Sequence, residues 1–176
     1  MNDLRTIQTA RLRLHPLSVD EARRIVDARP APGDRWAEDY PGAGDAASAR
    51  GFLAGVAERG DPGVYRPYAI RLEDGTTVGG IGFHGPPDAD GVVTVGYGLV
   101  PGARGHGYAR ESLRALIARA REAGATAVRG DADLANIPSQ RVMEAAGMTY
   151  EGEDERVRNY RVVLTDALSP RRADAP

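Results

Sequence analysis

The hexapeptide Arg104-Gly105-His106-Gly107-Tyr108-Ala109 stands between two regular runs. Before it lies an apolar stretch that reads as a strand, Val92 to Val100; after it comes a helix-patterned stretch from Ala109 to Glu122. Pro101 stops the strand, and Gly102, Gly105 and Gly107 let the backbone bend and bring its N–H groups close to a ligand. The first N–H groups of the helix that follows have no partner inside it. Strand, glycine turn and helix N-terminus together make an anion site, with backbone donors and the positive end of the helix dipole facing one point. Arg104 and Arg110 add full charges beside it. The chemistry implied is the grip of a phosphate or pyrophosphate, and hence a nucleotide-bearing cofactor.

No Gly-Lys-Ser/Thr follows these glycines, so the loop is not a Walker A sequence. A dinucleotide fingerprint fits poorly, because Gly105-x-Gly107 is followed by Arg110 where a third Gly or Ala allows close helix–strand packing. Asp131 and Asp133 do lie where a ribose-binding acid would be sought, and this reading stands as an alternative. A third pattern matches better. Arg104-x-x-Gly107-x-Ala109 resembles the Arg/Gln-x-x-Gly-x-Gly/Ala signature of the GCN5-related N-acetyltransferases (GNAT). The segment from Asn136 through Ser139 to Gly147-Met148 resembles that family's Asn-x-x-Ser, short helix and Gly-Phe. Thr9-x-Arg11-Leu12-x-Leu14 resembles the opening strand of its ribosomal-protein acetyltransferase (RimJ/RimL)-like branch. The likeness runs from about Thr9 to Leu164 with the motifs in order.

The resemblance implies acetyl-CoA as cofactor and direct transfer of its acetyl group to a primary amine, on a small molecule or a protein N-terminus. It implies that Arg104, Gly105, His106, Gly107, Tyr108, Ala109 and Arg110 hold the pyrophosphate. It also implies that the preceding strand splays from its neighbour and frees N–H groups at Leu99 and Val100 for the pantetheine arm and the thioester carbonyl, where such donors stabilise oxygen charge as the amine attacks. Asn136 would hold the pantetheine arm, although a residue between strand and helix is also a natural cap. Ser139 would either satisfy local N–H groups or protonate the leaving thiolate. Two departures from the family pattern bear on catalysis. Met143 stands where many members carry a tyrosine acid, and Thr94 stands where several carry a glutamate base. An ammonium has no lone pair and must lose a proton, so the base would be His84, a chain of waters, or nothing if the acceptor has a low pKa. Histidine changes charge near neutral pH, and His84 lies towards the acceptor end of the strand pair. Trp36, Tyr40, Tyr65 and Tyr68, with Thr94, are expected around the acceptor entrance; a lone Trp in a Pro/Gly loop can equally anchor that loop. A non-catalytic acyl-CoA-binding or regulatory module is the rival reading that Thr94 and Met143 keep open.

The elements that must position these residues follow from the pattern. Leu12 and Leu14 alternate with Arg as in a strand, and Ser18 with Glu21 forms a capping box that opens a helix. Asp45 can cap a second helix, with Ala49, Phe52, Leu53 and Val56 on its apolar face. Strands follow at Tyr65–Leu72 and Thr77–Phe83 around the hairpin signal Asp74-Gly75, and Asp90-Gly91 turns the chain into Val92–Val100. A helix to Gly124, a strand at Ala125–Arg129, a short helix opened by Pro138, and strands at Thr149–Glu151 and Arg156–Leu164 complete the order. That order, β-α-α-β-β-β-α-β-α-β-β, is a mixed α/β fold: by the resemblance, a mostly antiparallel GNAT-like sheet with helices on both faces. One domain over residues 1–168 and a frayed tail over 169–176 are expected.

Bulk properties narrow the function classes. A chain of 176 residues with 41% hydrophobic content builds one full core, and 22 Gly with 12 Pro means many turns. A net charge of −2 gives no broad basic face for nucleic acid and no polybasic membrane patch. The absence of cysteine removes disulfides, thiolate metal sites and a cysteine nucleophile, so no covalent acyl-enzyme on sulfur and no metal are expected. With no signal pattern at the start and no long apolar run, a soluble cytoplasmic protein, monomer or homodimer, is expected.

Overall fold

The computed structural model describes residues 5–164. Among these described residues there are eight strands and four α-helices. The strands are β1 (Ile7–Gln8), β2 (Leu12–Pro16), β3 (Pro67–Leu72), β4 (Thr77–Phe83), β5 (Val92–Leu99), β6 (Ala127–Asp133), β7 (Thr149–Glu153) and β8 (Val157–Val163). The helices are α1 (Val19–Asp27), α2 (Ala43–Arg59), α3 (Tyr108–Glu122) and α4 (Ile137–Ala145). They form one sheet in the order β1-β2-β3-β4-β5-β6-β8-β7. Every neighbouring pair is antiparallel except β5–β6, which is parallel. The expected element order is present with one addition, β1, whose two residues carry no periodicity to read. The expected tail at 169–176 lies outside the described residues.

Local chemistry sets the boundaries. Ser18 caps α1 through a complete box: its Oγ accepts from the Glu21 N–H, and the Glu21 carboxylate accepts from the Ser18 N–H at 2.9 Å. Gly75, Gly91, Gly124 and Gly147 all turn with positive φ where hairpins or helices end. The second helix differs from expectation. It starts at Ala43, with Gly42 as its cap, and Asp45 sits in the first turn, accepting the Gly42 N–H on Oδ2 at 2.9 Å. This leaves Oδ1 of Asp45 free of the capping contact.

α1 and α2 pack on each other, as do α3 and α4. Two contacts place these pairs on opposite faces. Asp45 of α2 lies against Gly80, while the Tyr97 hydroxyl donates to the Ser139 carbonyl of α4 at 3.0 Å. Gly80 pairs with Gly98 and Ile81 with Tyr97, so Gly80 and Tyr97 point to opposite sides of the sheet. Leu12, Leu14, Ile70, Leu113, Leu116 and Tyr160 are fully buried between sheet and helices. At roughly 1.5–3 kcal/mol for each large apolar side chain, this core is what holds the sheet flat against its helices while its centre stays partly unpaired.

Candidate active site

The glycine turn is built by backbone conformation. After Leu99 the chain makes a 3₁₀ turn at Pro101–Ala103, then passes through Gly105 (φ +79°) and Gly107 (φ +80°), both left-handed. Gly107 caps α3, and the Glu111 N–H is the first to reach back to its carbonyl at 3.1 Å. The N–H groups of Tyr108, Ala109 and Arg110 therefore stand at the open end of a 15-residue helix with no intrahelical acceptor. A Cβ at Gly105 would meet nothing within 4 Å, so the space over the turn is open for a ligand. These are the features a pyrophosphate requires.

A clamp that sequence reading missed fixes this turn. Glu111 Oε1 accepts from Thr9 Oγ1 at 2.6 Å and from the Arg11 N–H at 2.9 Å; Oε2 accepts from Arg11 Nε at 2.8 Å. Arg11 then donates through Nη1 to the His106 carbonyl at 2.9 Å and lies over the Tyr108 ring. Burial pushes the Glu111 carboxyl up, but the hydrogen bonds from Thr9 and Arg11 outweigh it and hold it below the usual range. The Thr9-x-Arg11 motif thus reaches across about a hundred residues to brace the loop. His106 does not line the cleft: its carbonyl faces Arg11 and its ring stacks on Tyr108. Arg104 does line it, with Nε donating to the Leu99 carbonyl at 3.1 Å.

The splay behind this turn is real but shifted by one residue from expectation. β5 pairs with β6 only over Val92, Val93 and Thr94. The Val100 N–H is not freed; it donates to the Val78 carbonyl at 2.9 Å. The His84 N–H donates to the Thr94 carbonyl at 2.9 Å. In an antiparallel ladder bonding directions alternate, so Thr94, Gly96, Gly98 and Val100 face β4. Tyr97 and Leu99 turn their backbone groups the other way, into the gap where β6 has departed. The donors offered to a ligand are at Tyr97 and Leu99, not at Leu99 and Val100.

α4 closes the far side of the gap. Asn136 caps it, accepting the Ser139 N–H on Oδ1 at 3.2 Å, which leaves its amide NH₂ as donor. Ser139 lines the cleft. Tyr97, missed in the sequence because a strand tyrosine reads as packing, brings a second hydroxyl to the same helical turn; burial raises its pKa above the ordinary phenol value. Met143 is 2% exposed and lies over Gly130, so its position belongs to the core.

The acceptor end needs more correction. His84 lines the cleft with its ring over Gly96: a Cβ there would lie 2.7 Å from Nε2. Tyr40 lines it as well and is 8% exposed. Trp36 does not line it; its ring packs edge-on to Tyr40 and its backbone bridges Thr77, so it anchors the loop on the core. Tyr68 lines it too, but is 1% exposed with its hydroxyl donating to the Val64 carbonyl, so it forms part of the wall and its hydroxyl is already engaged. Tyr65 is likewise tied, to the Ala123 carbonyl at 3.0 Å. Thr94 lies outside the lining, in the stretch where β5 and β6 are still paired. In their place stands Asp45. A Cβ on Gly80 would come 2.5 Å from its Oδ1, so only glycine admits the carboxylate to this seat. Burial pushes the Asp45 carboxyl up, and the Gly42 N–H offsets this only in part.

All of this lines one cleft of about 1130 Å³, running from Asp45 and His84 to the α3 N-terminus and Ser139. Pockets for one small molecule are roughly 300–1,000 Å³, so the volume suits a long cofactor with an acceptor beside it. The chain matches the model of the acetyltransferase (GNAT) domain over residues 11–149, and it belongs to that family. Among solved structures, it resembles a ribosomal-protein-alanine acetyltransferase of Vibrio fischeri at 15% identity and TM-score 0.69, covering 92% of this chain and 98% of that one. It also resembles the ribosomal-protein α-N-acetyltransferase RimL in complex with coenzyme A, at 17% identity and TM-score 0.67, covering 91% and 98%. The microcin self-immunity acetyltransferase MccE in complex with acetyl-CoA and AMP aligns at 13% identity and TM-score 0.63, covering 88% and 93%. These identities show a shared fold. A comparison with curated proteins gave no match. Among the described residues no helix is long and apolar enough to cross a membrane.

Proposed function

We propose that this acetyltransferase is an acetyl-CoA-dependent N-acetyltransferase that moves the acetyl group directly to a primary amine, on a small molecule or a protein N-terminus. The observation that carries the reading is continuity: one cleft joins the open N-terminus of α3, the unpaired edge of β5 at Tyr97 and Leu99, and the acceptor end at His84. Two of the solved structures it resembles hold coenzyme A or acetyl-CoA. Here the amides of Tyr108, Ala109 and Arg110, with Arg104, would hold the pyrophosphate; Tyr97, Leu99 and Asn136 would hold the pantetheine arm. Bound there, acetyl-CoA supplies an activated acyl carbon and a thiolate leaving group.

The chain's own groups complete the proton balance. His84 takes a proton from the incoming ammonium and passes it to water. The Leu99 N–H faces the oxygen on which charge develops. Ser139 Oγ would deliver a proton to the departing sulfur and regain one, through water, from the second proton that the nitrogen loses as the amide forms, so that the only net proton released is the one His84 passes to water. The burial of Met143 and the withdrawal of Thr94 from the cleft favour a second reading, a binding module without turnover. Thiol release from acetyl-CoA across a panel of primary amines tests both. Release above the hydrolysis background supports the enzyme, binding without release supports the module, and no melting shift with saturating CoA overturns both.

A further inference from the structure

Asp45 has no part in the chemistry above, yet it is the anionic group placed deepest in the acceptor end. Its Oδ2 caps α2 through Gly42, while Oδ1 reaches over β4 at Gly80. Among the described residues no cation pairs with it, although Arg24, Arg66, Arg71 and Arg158 all have carboxylate partners. A half-buried carboxylate without a counter-ion is costly, and a cationic ligand beside its second oxygen would offset that cost. Its surroundings fit a ligand. Gly98, opposite Gly80, has open space where a Cβ would be, and Tyr40 and Phe52 line the cleft nearby. Opposite Cβ positions in such a pair lie about 5 Å apart, so Oδ1 is within about 8 Å of the face of Gly98. Gly98 is flanked by Tyr97 and Leu99, whose backbone groups enter the splay. A nitrogen at hydrogen-bond distance from Oδ1 therefore also lies within reach of an acyl carbon held at Leu99. His84 stands over Gly96, one position further along the same face of β5.

We infer that Asp45 Oδ1 is the binding site for the acceptor's ammonium group, and that the acceptor class is a cationic primary amine with no carboxylate on the same carbon. A carboxylate on that carbon would be brought against Asp45, which excludes free α-amino acids and admits alkyl- and arylalkylamines and peptide N-termini. This inference rests on the proposed N-acetyltransferase reading for its purpose, but its measurement does not. Asp45 orients the nitrogen, and His84 takes the proton.

Three probes built on the same phenethyl skeleton decide it: phenethylamine, phenethyl alcohol and phenylalanine. Each is titrated at pH 7 into the protein with and without CoA, and the melting temperature is read. Phenethylamine should stabilise the wild type, while the alcohol and the amino acid should not. Asp45→Asn keeps an oxygen for the Gly42 N–H and removes the charge; it should weaken phenethylamine by about 10- to 100-fold, the range for a hydrogen bond to a charged group, with CoA affinity unchanged. Gly80→Ala keeps the charge and displaces Oδ1, and should give the same loss. A wild type that does not prefer the amine overturns the inference, as does an Asn variant that keeps the wild-type preference. A protein that prefers the amine through Asp45 but shows no CoA shift keeps this site and sinks the acetyl-CoA reading instead.

Discussion

The two ends of the cleft are made in opposite ways. The phosphate end is one contiguous stretch, Pro101 to Arg110, and its working parts are backbone N–H groups aimed by two left-handed glycines. The acceptor end draws Tyr40 from a loop, Asp45 from α2, Gly80 from β4, His84 from the loop after β4, and Gly96 and Gly98 from β5; its working parts are side chains. The difference predicts opposite tolerances. At the phosphate end, changing a side chain should matter little and changing a backbone conformation should matter much. At the acceptor end, the glycines matter because they are bare, and single side chains carry the chemistry.

The largest effect should come from His84→Ala. Loss of a positioned base costs about 10²–10⁴-fold in rate. Single-turnover kinetics should show this fall with the CoA dissociation constant unchanged, and an unchanged rate would leave the base to water. Next come the two hydroxyls at α4. Ser139→Ala should lower turnover about 10²-fold if Ser139 protonates the thiolate, while Tyr97→Phe should lower it far less, because that phenol is already donating to the Ser139 carbonyl. The reverse ranking in single-turnover rates would transfer the acid's role to Tyr97. If the serine is only structural, its loss leaves the rate per folded molecule intact.

At the phosphate end the order should invert. A Cβ on Gly107 meets the ends of two flexible side chains, Arg11 Nη2 at 3.5 Å and Arg110 Nη2 at 4.0 Å, so space is not the obstacle. A φ of +80° is, costing a branched residue about 1–2 kcal/mol or turning the amides off target. Gly107→Val should weaken CoA about tenfold or more by calorimetry. Arg104→Ala should weaken it only about two- to fivefold, as befits an exposed charge. If Arg104→Ala proves the worse of the two, charge and not backbone geometry holds the pyrophosphate, and the contrast between the ends fails.

The same contrast explains what could be read from the sequence. The phosphate end was legible because glycine turn, helix start and charge are neighbours in the chain, and backbone donors do not depend on side-chain identity. The strands and helices were legible because alternation and capping are local. The splay was legible only to within one residue: whether Val100 or Tyr97 is freed depends on the ladder's phase, which the Gly79–Leu99 register sets. Asp45 was visible as a helix-start residue. That its second oxygen enters the cleft depends on Gly42 being the cap and on Gly80 lying beneath, two facts set by packing. Trp36 falls outside the cleft for the same reason, since an aromatic in a loop carries no local mark of which side it faces.

The smallest effect should come from Glu21, which lies outside both ends and so serves as their control. Its Oε2 accepts from the Ser18 N–H and hydroxyl at 2.9 and 2.8 Å, and its Oε1 faces His15 Nε2 and Arg71 Nη2, each at 3.0 Å. Burial pushes this carboxyl up, but the bonds from His15 and Ser18 outweigh it and hold it well below the usual carboxylate range. A carboxylate depressed in the fold contributes stability that is present above its unfolded pKa, about 4.3, and is lost as pH falls from there through the folded value. Glu21→Gln removes the charge and turns an NH₂ towards donors. It should cost about 1 kcal/mol at pH 7, or about 2–4 °C in melting temperature. The gap to wild type should hold down to the ordinary carboxylate range and close below it, while CoA affinity and amine preference stay unchanged at pH 7. A gap that does not narrow in acid would mean that shape, not charge, is what Glu21 contributes; a change in either ligand's affinity would mean that α1 is coupled to the cleft and that its two ends are not independent.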